Sequence, residues 1–310
     1  WGRIAEGSGE DPYLGSMIAK AMVEGYQGDY SQTDNIMACV KHYALYGAVE
    51  AGRDYNTVDM SHLRMYNQYF PPYRAAAEAG AGSFMSSFNI VDGVPATANK
   101  WLLTDVLRRQ WKSDAFVVTD YGSIGEMVVH GVGDIASSSA QALKAGTDMD
   151  MCSEGFLKTL DGSVKSGNVS MADIDTACRR VLEAKYKLGL FQNPYKYCDK
   201  KRRAKDVLTK ENRIAARNMA AETFVLLKND NHLLPLKREG KIALIGPWAN
   251  NRANLEGTWS VAAVPDQYST LKEAFEKAVA GKAEILYSHG CNLTADSNLQ
   301  KAAYFDKPLP

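Results

Sequence analysis

A carboxylate at the end of an apolar run is the first candidate for chemistry in this sequence. Residues 116–119 read Phe-Val-Val-Thr, and Asp120, Tyr121 and Gly122 follow them directly. Such a run is typical of a buried strand, and an acidic side chain there costs free energy unless it is paired or hydrogen-bonded. This pattern alone leaves two interpretations open for Asp120, a cap of the next helix or a group that acts on a ligand.

Two earlier segments supply hydrogen-bond donors that suit a neutral polyol. Lys41 and His42 end the apolar run 37–40, and Arg53 follows in the next loop. An ammonium group, an imidazole and a forked guanidinium can all hold hydroxyl groups. Taken singly, Lys41 is explained as a surface lysine and His42 as a buried structural histidine.

Apolar surface accompanies these donors. Met85 and Phe88 belong to the run 83–88, and Tyr121 directly follows Asp120. Met85 alone is explained as a core residue. Sugars present polar edges and apolar faces, so the set favours sugar binding, with Met85 and Phe88 in the mouth, Tyr121 as a platform and Asp120 as the carboxylate.

A repeated pattern of strand, loop and helix must position these side chains. Runs that end near residues 41, 88, 120 and 151 alternate with helices predicted at 13–23, 61–79, 100–110, 123–129, 137–145 and 171–188. Units of about 30 to 45 residues with this alternation indicate a parallel α/β sheet whose carboxyl edge collects the strand ends. We expect an incomplete (β/α)8 TIM-like barrel, with its first strands before Trp1, rather than an open doubly wound sheet.

The pattern changes after residue 192. Residues 193–208 are polar and basic and predict a solvated linker rather than a nucleic-acid patch. Beyond them we predict a helix at 209–223, a hairpin at 225–236, strands at 241–245 and 284–288, and a helix at 271–279. The predicted domains are therefore a partial barrel, 1–192, and the start of a second α/β domain, 209–310.

The composition gives no sign of a nucleic-acid partner, a membrane-inserted segment or a metal site. The chain is 45% hydrophobic and 23% charged with a formal net charge of zero, which gives no reason to expect a nucleic-acid partner. Unbroken apolar stretches are too short for membrane insertion. Five cysteines without a close pair and five scattered histidines predict no metal site, and no cofactor is expected. The abrupt ends at Trp1 and Pro310 predict a fragment of a longer protein.

Several motifs, in order along the chain, resemble glycoside hydrolase family 3. They are Trp-Gly-Arg at 1–3, Gly-Glu-Asp-Pro at 9–12, Lys-His-Tyr at 41–43, Gly-Arg-Asp-Tyr-Asn at 52–56, Ser-Phe-Met-Ser-Ser-Phe-Asn at 83–89, Val-Thr-Asp-Tyr at 118–121 and Ala-Gly-Thr-Asp-Met-Asp-Met at 145–151. The segments 225–236, 242–247 and 257–260 resemble the start of that family's second domain, which implies that residues 209–310 begin an α/β sandwich. The resemblance covers essentially the whole chain.

The resemblance implies a retaining glycosidase. Asp120 would be the nucleophile, and a second carboxyl group about 5–5.5 Å away would act as acid/base. The family's acid/base Glu would lie beyond Pro310, since Glu154, Asp161 and Glu256 do not match its motif. The implied sugar-binding residues are Arg3, Lys41, His42, Arg53, Met85, Phe88 and Tyr121. Trp259 would line the aglycone side.

The implied reaction is release of terminal β-D-glucose from β-glucosides or oligosaccharides, in a periplasmic or secreted protein. β-Xylosidase specificity is an alternative within the family, and a fragment that only binds sugar is another. The loop 44–49 lacks the His-Asp pair of the family's hexosaminidase branch. From a different class, Lys41 at a strand end could form a Schiff base in a barrel lyase.

Overall fold

The computed structural model describes residues 3–252, 254–255 and 264–303. The chain folds as two compact units, residues 1–205 and 206–310. The predicted linker is partly structured: Lys196 Nζ donates to the Tyr30 carbonyl at 2.6 Å, and a short helix lies at Arg202–Asp206. The division at 192 and 209 remains a prediction.

A parallel sheet of three strands forms the centre of the first unit. Strand β1 (Cys39–Tyr43) pairs with β3 (Ser83–Ser86), and β3 pairs with β6 (Phe116–Thr119). A smaller sheet joins β2 (Thr57–Val58), β4 (Ile90–Val91) and β5 (Val94–Pro95), which the sequence pattern did not predict. Tyr43, Ser86 and Thr119 share one row of the central sheet. The residues that follow them therefore meet at one edge, as expected.

Strand β1 carries a bulge where chemistry was predicted. Val40 pairs with Phe84 and Tyr43 pairs with Ser86, so Lys41 and His42 together lie opposite the single residue Met85. In an unbroken strand, neighbouring side chains point to opposite faces. The extra residue re-aims one of them, a common use of bulges near functional sites. The Lys41–His42 and Tyr43–Ala44 peptide bonds are cis.

The predicted strand at 147–151 is wrong apart from one bridge, Val118 with Met149. The N–H groups of Asp148 and Met149 both donate to the Val117 carbonyl, at 2.8 and 3.0 Å. Two donors on one acceptor break the even spacing of a parallel ladder.

Helices alternate with the strands along the chain of the first unit. They are α1 (Pro12–Gln27), α2 (His62–Arg64), α3 (Phe70–Glu78), a π-type helix Trp101–Gln110, α4 (Ser123–Val129), α5 (Ile135–Ala145), α6 (Gly155–Lys165), α7 (Met171–Lys187) and α8 (Arg202–Asp206). The helix predicted at 61–79 changes type shortly before Pro71 and Pro72. A π-type turn, Met65–Tyr69, precedes α3. Both prolines lie in the first turn of α3, where a missing N–H is tolerated.

The main core lies between the central sheet and the helices α1, α3 and Trp101–Gln110. The Tyr43 ring meets Phe84, Tyr73 and Trp111 edge-on, with centroids 5.3–5.9 Å apart, and its hydroxyl donates to the Leu102 carbonyl. Phe84 and Val117, paired neighbours in the sheet, belong to this core. Alternation along the strands therefore places Met85 and Val118 on the opposite face.

The second unit contains α9 (Lys210–Glu222), β7 (Gly240–Ile245), α10 (Leu271–Val279), β8 (Ala283–Ser288) and α11 (Ser297–Ala303). Strands β7 and β8 pair in parallel over six residues. The predicted hairpin at 225–236, a segment described throughout, is wrong because it contains no strand. The Asn229 side chain donates to the Leu234 carbonyl and accepts from the Leu234 N–H, so it takes the bonds that a second strand would supply. Glu256 and Trp259 lie outside the described residues.

Candidate active site

Asp120 lies directly after β6 at the carboxyl edge of the sheet. Its N–H donates to the Ser86 carbonyl at 3.2 Å, and its own carbonyl accepts from the Ser123 N–H at 3.1 Å. The side chain is 16% exposed, and its Oδ1 accepts from the Tyr121 N–H at 2.7 Å. Helix α4 has Gly122 as its N-cap, with no side-chain cap. Asp120 is therefore not the N-cap of that helix, and its Oδ2 faces the site.

His42 is the side chain that approaches this free oxygen. Its Nε2 lies 3.4 Å from Asp120 Oδ2 and 3.4 Å from Arg3 Nη1. Burial, together with the positive charges of Lys41 and Arg3, lowers the pKa of His42 to about 4. The imidazole is therefore neutral at pH 7. The Tyr73 hydroxyl donates to the His42 carbonyl at 2.6 Å and fixes its backbone.

Opposing influences act on the Asp120 carboxyl. Burial raises its pKa above the usual range, while the Tyr121 N–H and the charges of Lys41 and Arg3 oppose that shift. Arg3 is held in place by Glu6, with two bonds of 2.8 Å that raise the pKa of the guanidinium. A carboxylate flanked by two cations and a neutral imidazole can hold negative charge at neutral pH.

Aromatic rings form a continuous wall beside His42. The His42 ring meets Tyr46 at 5.2 Å, Tyr46 meets Phe88 at 5.8 Å, and Phe88 meets Tyr55 at 4.7 Å between centroids. Tyr46 also hydrogen-bonds Asp54. Tyr46, Asp54 and Tyr55 were not predicted as site residues. Asp54 and Tyr55 lie in the motif 52–56 that carries the family resemblance, and Tyr46 lies in the aromatic-rich loop that follows the predicted strand end.

That loop holds non-glycine residues in the left-handed region. Leu45, Ala51 and Tyr55 have φ values of 69°, 56° and 67°. Such conformations cost on the order of 1–3 kcal/mol each and are common at functional sites. The loop after β1 is thus held in a fixed and unfavourable shape beside Asp120.

Two predicted site residues, Arg53 and Tyr121, do not place their side chains in the cluster of Arg3, His42 and Asp120. Arg53 is exposed, and its side chain makes no ion pair with any residue in the described ranges. The Tyr121 side chain is 70% exposed, so its observed contribution is the backbone N–H that binds Asp120. Lys41 is also exposed, although its charge acts on both Asp120 and His42. Met85 is half-buried opposite the bulge.

A cavity of about 510 Å³ lies beside Asp120 and is lined by several of the residues around it. Arg3, Lys41, His42 and Tyr46 line the cavity together with apolar residues of α1, β1 and α3. Asp120 does not line it. The cavity therefore does not by itself mark where a reacting atom would be held.

The glycosyl hydrolase family 3 N terminal domain matches residues 1–184, and the C-terminal domain of the same family matches residues 224–307. This chain belongs to glycosyl hydrolase family 3. The family's N-terminal domain is a (β/α)8 barrel, so β1, β3 and β6 are strands of that barrel. The predicted fold class is confirmed.

Several family 3 relatives match over nearly the whole chain. A periplasmic beta-glucosidase of Salmonella typhimurium is 45% identical over 96% of the chain and 40% of the relative. A beta-xylosidase of Formosa agariphila is 34% identical over 96% of the chain and 43% of the relative. The chain therefore spans about two fifths of the length of these curated relatives.

A solved family 3 structure is similar throughout. The beta-glucosidase from Listeria innocua in complex with glucose superposes with a TM-score of 0.87 and 41% identity, covering 98% of this chain and 42% of that one. A mutant of the same enzyme in complex with laminaribiose gives a TM-score of 0.88 at 40% identity.

Two other carboxylates considered from the sequence lie on the surface. Glu154 is exposed and pairs with Lys158, and Asp161 pairs with Lys165 at 2.6 Å with both side chains more than 70% exposed. Within residues 3–252, 254–255 and 264–303, no three His, Cys, Asp or Glu side chains converge as metal ligands. Nor does any helix in those ranges have the length and apolarity needed to cross a membrane.

Proposed function

We propose that this chain carries the nucleophile of a retaining β-glucosidase. Asp120 attacks the anomeric carbon of a terminal β-glucose, the bond to the leaving-group oxygen breaks, and a glycosyl-enzyme forms. The observation that carries this proposal is the position of Asp120. It is nearly buried at the carboxyl edge of a barrel sheet, with its free Oδ2 3.4 Å from a neutral histidine.

The surrounding residues have separate roles in this proposal. Lys41, His42 and Arg3 hold hydroxyl groups of the terminal sugar, and the two cations keep Asp120 ionised against the effect of burial. Met85 and Phe88 pack against the apolar face of the sugar.

Arg53 and Tyr121 are also proposed to contact the bound substrate. Both side chains are exposed in this structure and therefore accessible to a sugar. The acid/base carboxyl is proposed to come from sequence beyond Pro310. Glu154 and Asp161 are unsuited to that role because both are exposed and paired with lysines.

The substrate class is inferred from relatives. Similar proteins are named β-glucosidases, and one solved relative was obtained with glucose and with laminaribiose. We infer that the substrate is a β-glucoside or a short β-linked oligosaccharide. We infer a periplasmic or secreted location, which the name of the Salmonella relative supports.

Covalent trapping tests the central step. A fluorinated β-glucoside that forms a slow-hydrolysing glycosyl-enzyme is incubated with the polypeptide that includes whatever sequence flanks this segment in its gene. Peptide mass spectrometry should find the label on Asp120, and Asp120→Asn should remain unlabelled. A label on any other residue refutes the assignment.

Xylosidase specificity is the second candidate, supported by the xylosidase names among the relatives. Nitrophenyl β-glucoside and β-xyloside are compared by kcat/KM, and a higher value for the xyloside would reverse the preference.

The 310-residue chain alone is proposed to be inactive. Equal turnover with and without the flanking sequence would contradict this proposal. Borohydride trapping at Lys41 in the presence of a carbonyl substrate would instead favour a lyase.

A further inference from the structure

Three hydroxyl groups are buried together beneath the carboxyl edge of the sheet. Ser86 Oγ lies 2.9 Å from Thr97 Oγ1, and Thr97 Oγ1 lies 2.7 Å from Ser123 Oγ. Ser86 and Thr97 are fully buried, and Ser123 is 1% exposed. Buried hydroxyl groups require partners, so this cluster depends on all three members.

Thr97 is the centre of the cluster. Its Oγ1 also lies 3.3 Å from the Ser87 carbonyl, and its own carbonyl accepts from the Thr147 hydroxyl at 2.8 Å. A hydroxyl group has one proton and two lone pairs. Because a carbonyl can only accept, Thr97 donates to Ser87 and accepts from the hydroxyls of Ser86 and Ser123.

The two serines in this cluster also bind the backbone of Asp120. The Ser86 carbonyl accepts the Asp120 N–H at 3.2 Å, and the Ser123 N–H donates to the Asp120 carbonyl at 3.1 Å. Asp120 is thus held on both sides by residues whose side chains meet at a single oxygen, Thr97 Oγ1. Thr97 itself makes no hydrogen bond with the Asp120 side chain.

We propose that Thr97 is a positioning residue for Asp120 and acts through Ser86 and Ser123. The inference rests on the proposed role of Asp120 as nucleophile. Reacting groups must be held within a fraction of an ångström, and a displacement of about 1 Å can lower a rate by on the order of a hundredfold. Fixing both peptide groups of Asp120 through one buried oxygen limits such displacement.

Three variants separate positioning from general stability. Thr97→Val keeps the shape and leaves the hydroxyls of Ser86 and Ser123 without their acceptor. Thr97→Ser keeps the hydroxyl and should restore function. Ser83→Ala is the matched control, because Ser83 is a buried residue at the opposite end of β3 whose hydroxyl donates to the Ala38 carbonyl at 3.0 Å.

Amide hydrogen exchange measures the positioning directly and needs no activity. In Thr97→Val, the amides of Asp120 and Ser123 should exchange at least about tenfold faster, while amides in α7 keep their rates. Thr97→Ser and Ser83→Ala should leave both amides within about twofold of the parent protein. Unchanged exchange in Thr97→Val, or equal acceleration in Ser83→Ala, overturns the proposal.

The rate of covalent labelling by the fluorinated glucoside supplies the second measurement. Thr97→Val should lower the limiting rate by about ten- to a hundredfold and leave the half-saturating concentration within about twofold. A limiting rate equal to that of the parent protein contradicts the role of Thr97. If the parent protein is not labelled at Asp120, the proposed function fails, while amide exchange still decides whether Thr97 positions Asp120.

Discussion

The buried carboxylate of Asp148 leads to a stability prediction with a defined magnitude. Its side chain is 1% exposed and accepts from Arg108 Nη2 and Arg180 Nη1, both at 2.7 Å, and from the Val117 N–H at 2.8 Å. Asp148→Asn keeps the size of the side chain but removes its charge and turns one acceptor into a donor. Whichever way the amide turns, its N–H₂ group faces a guanidinium.

The expected loss follows from the exposure of the two arginines. Removing one partner of a buried ion pair costs about 3–5 kcal/mol because the other charge stays buried. The Arg108 side chain is 10% exposed, whereas Arg180 is 24% exposed and regains hydration. We therefore expect the lower value, about 3 kcal/mol. In a unit of this size, that lowers the melting temperature by about 6 to 12 °C.

Urea unfolding and thermal melts followed by circular dichroism test this prediction. Asp161→Asn is the matched control, because Asp161 pairs with Lys165 at 2.6 Å but both side chains are largely exposed. An exposed pair of this kind contributes about 0.5 kcal/mol or less. Equal losses in the two variants would refute the argument, as would a loss below about 1 kcal/mol for Asp148→Asn.

Further predictions concern the candidate site. Asp120→Asn should lower β-glucoside hydrolysis by more than about a thousandfold, and retention of most activity would exclude the nucleophile role. The pKa of His42 is about 4 in the folded protein, against an ordinary value of 6.5. Between these two pH values, the imidazole is therefore protonated in the unfolded chain and neutral in the folded protein. Its contribution to stability is complete above pH 6.5 and is lost as the pH falls to 4. His42→Asn should flatten this part of the urea-derived stability profile, and parallel profiles would contradict the burial argument. Phe88→Ala removes the centre of the aromatic wall and should raise KM for the glucoside by about tenfold, which Phe88→Tyr should not do. Unchanged KM values would contradict the wall's role.

The sequence pattern predicts the ends of three barrel strands to within two residues: the predicted ends near 41, 88 and 120 compare with Tyr43, Ser86 and Thr119 in the structure. In 116–119, the apolar residues Phe-Val-Val precede the polar Thr119, so the change to polar residues marks the carboxyl edge. In 83–86, only Phe84 and Met85 are apolar, although all four residues are buried or half-buried. The approach of His42 to Asp120 is not predictable in the same way. It depends on the bulge in β1, and an extra unpaired residue leaves no mark in hydrophobic periodicity.

Side-chain interactions account for the remaining differences. The hairpin at 225–236 fails because the Asn229 side chain replaces strand pairing, and the strand at 147–151 fails because two N–H groups share one carbonyl. Arg53 and Tyr121 lie outside the strands, where hydrophobic periodicity does not predict the direction of a side chain, and both are exposed. The cluster centred on Thr97 depends on residues far apart in sequence, so composition and spacing do not reveal it.

The bulge in β1 makes the site sensitive to chain length as well as to residue identity. Between the pairs Val40–Phe84 and Tyr43–Ser86, β1 has two residues and β3 has one. A deletion of one residue in this interval would restore an even ladder and leave room for Lys41 or His42, but not both, opposite Met85. A lineage could keep Asp120 and every core residue and still lose one polar contact through a single codon deletion. Gaps at this point in related chains are therefore more informative about function than most substitutions around them.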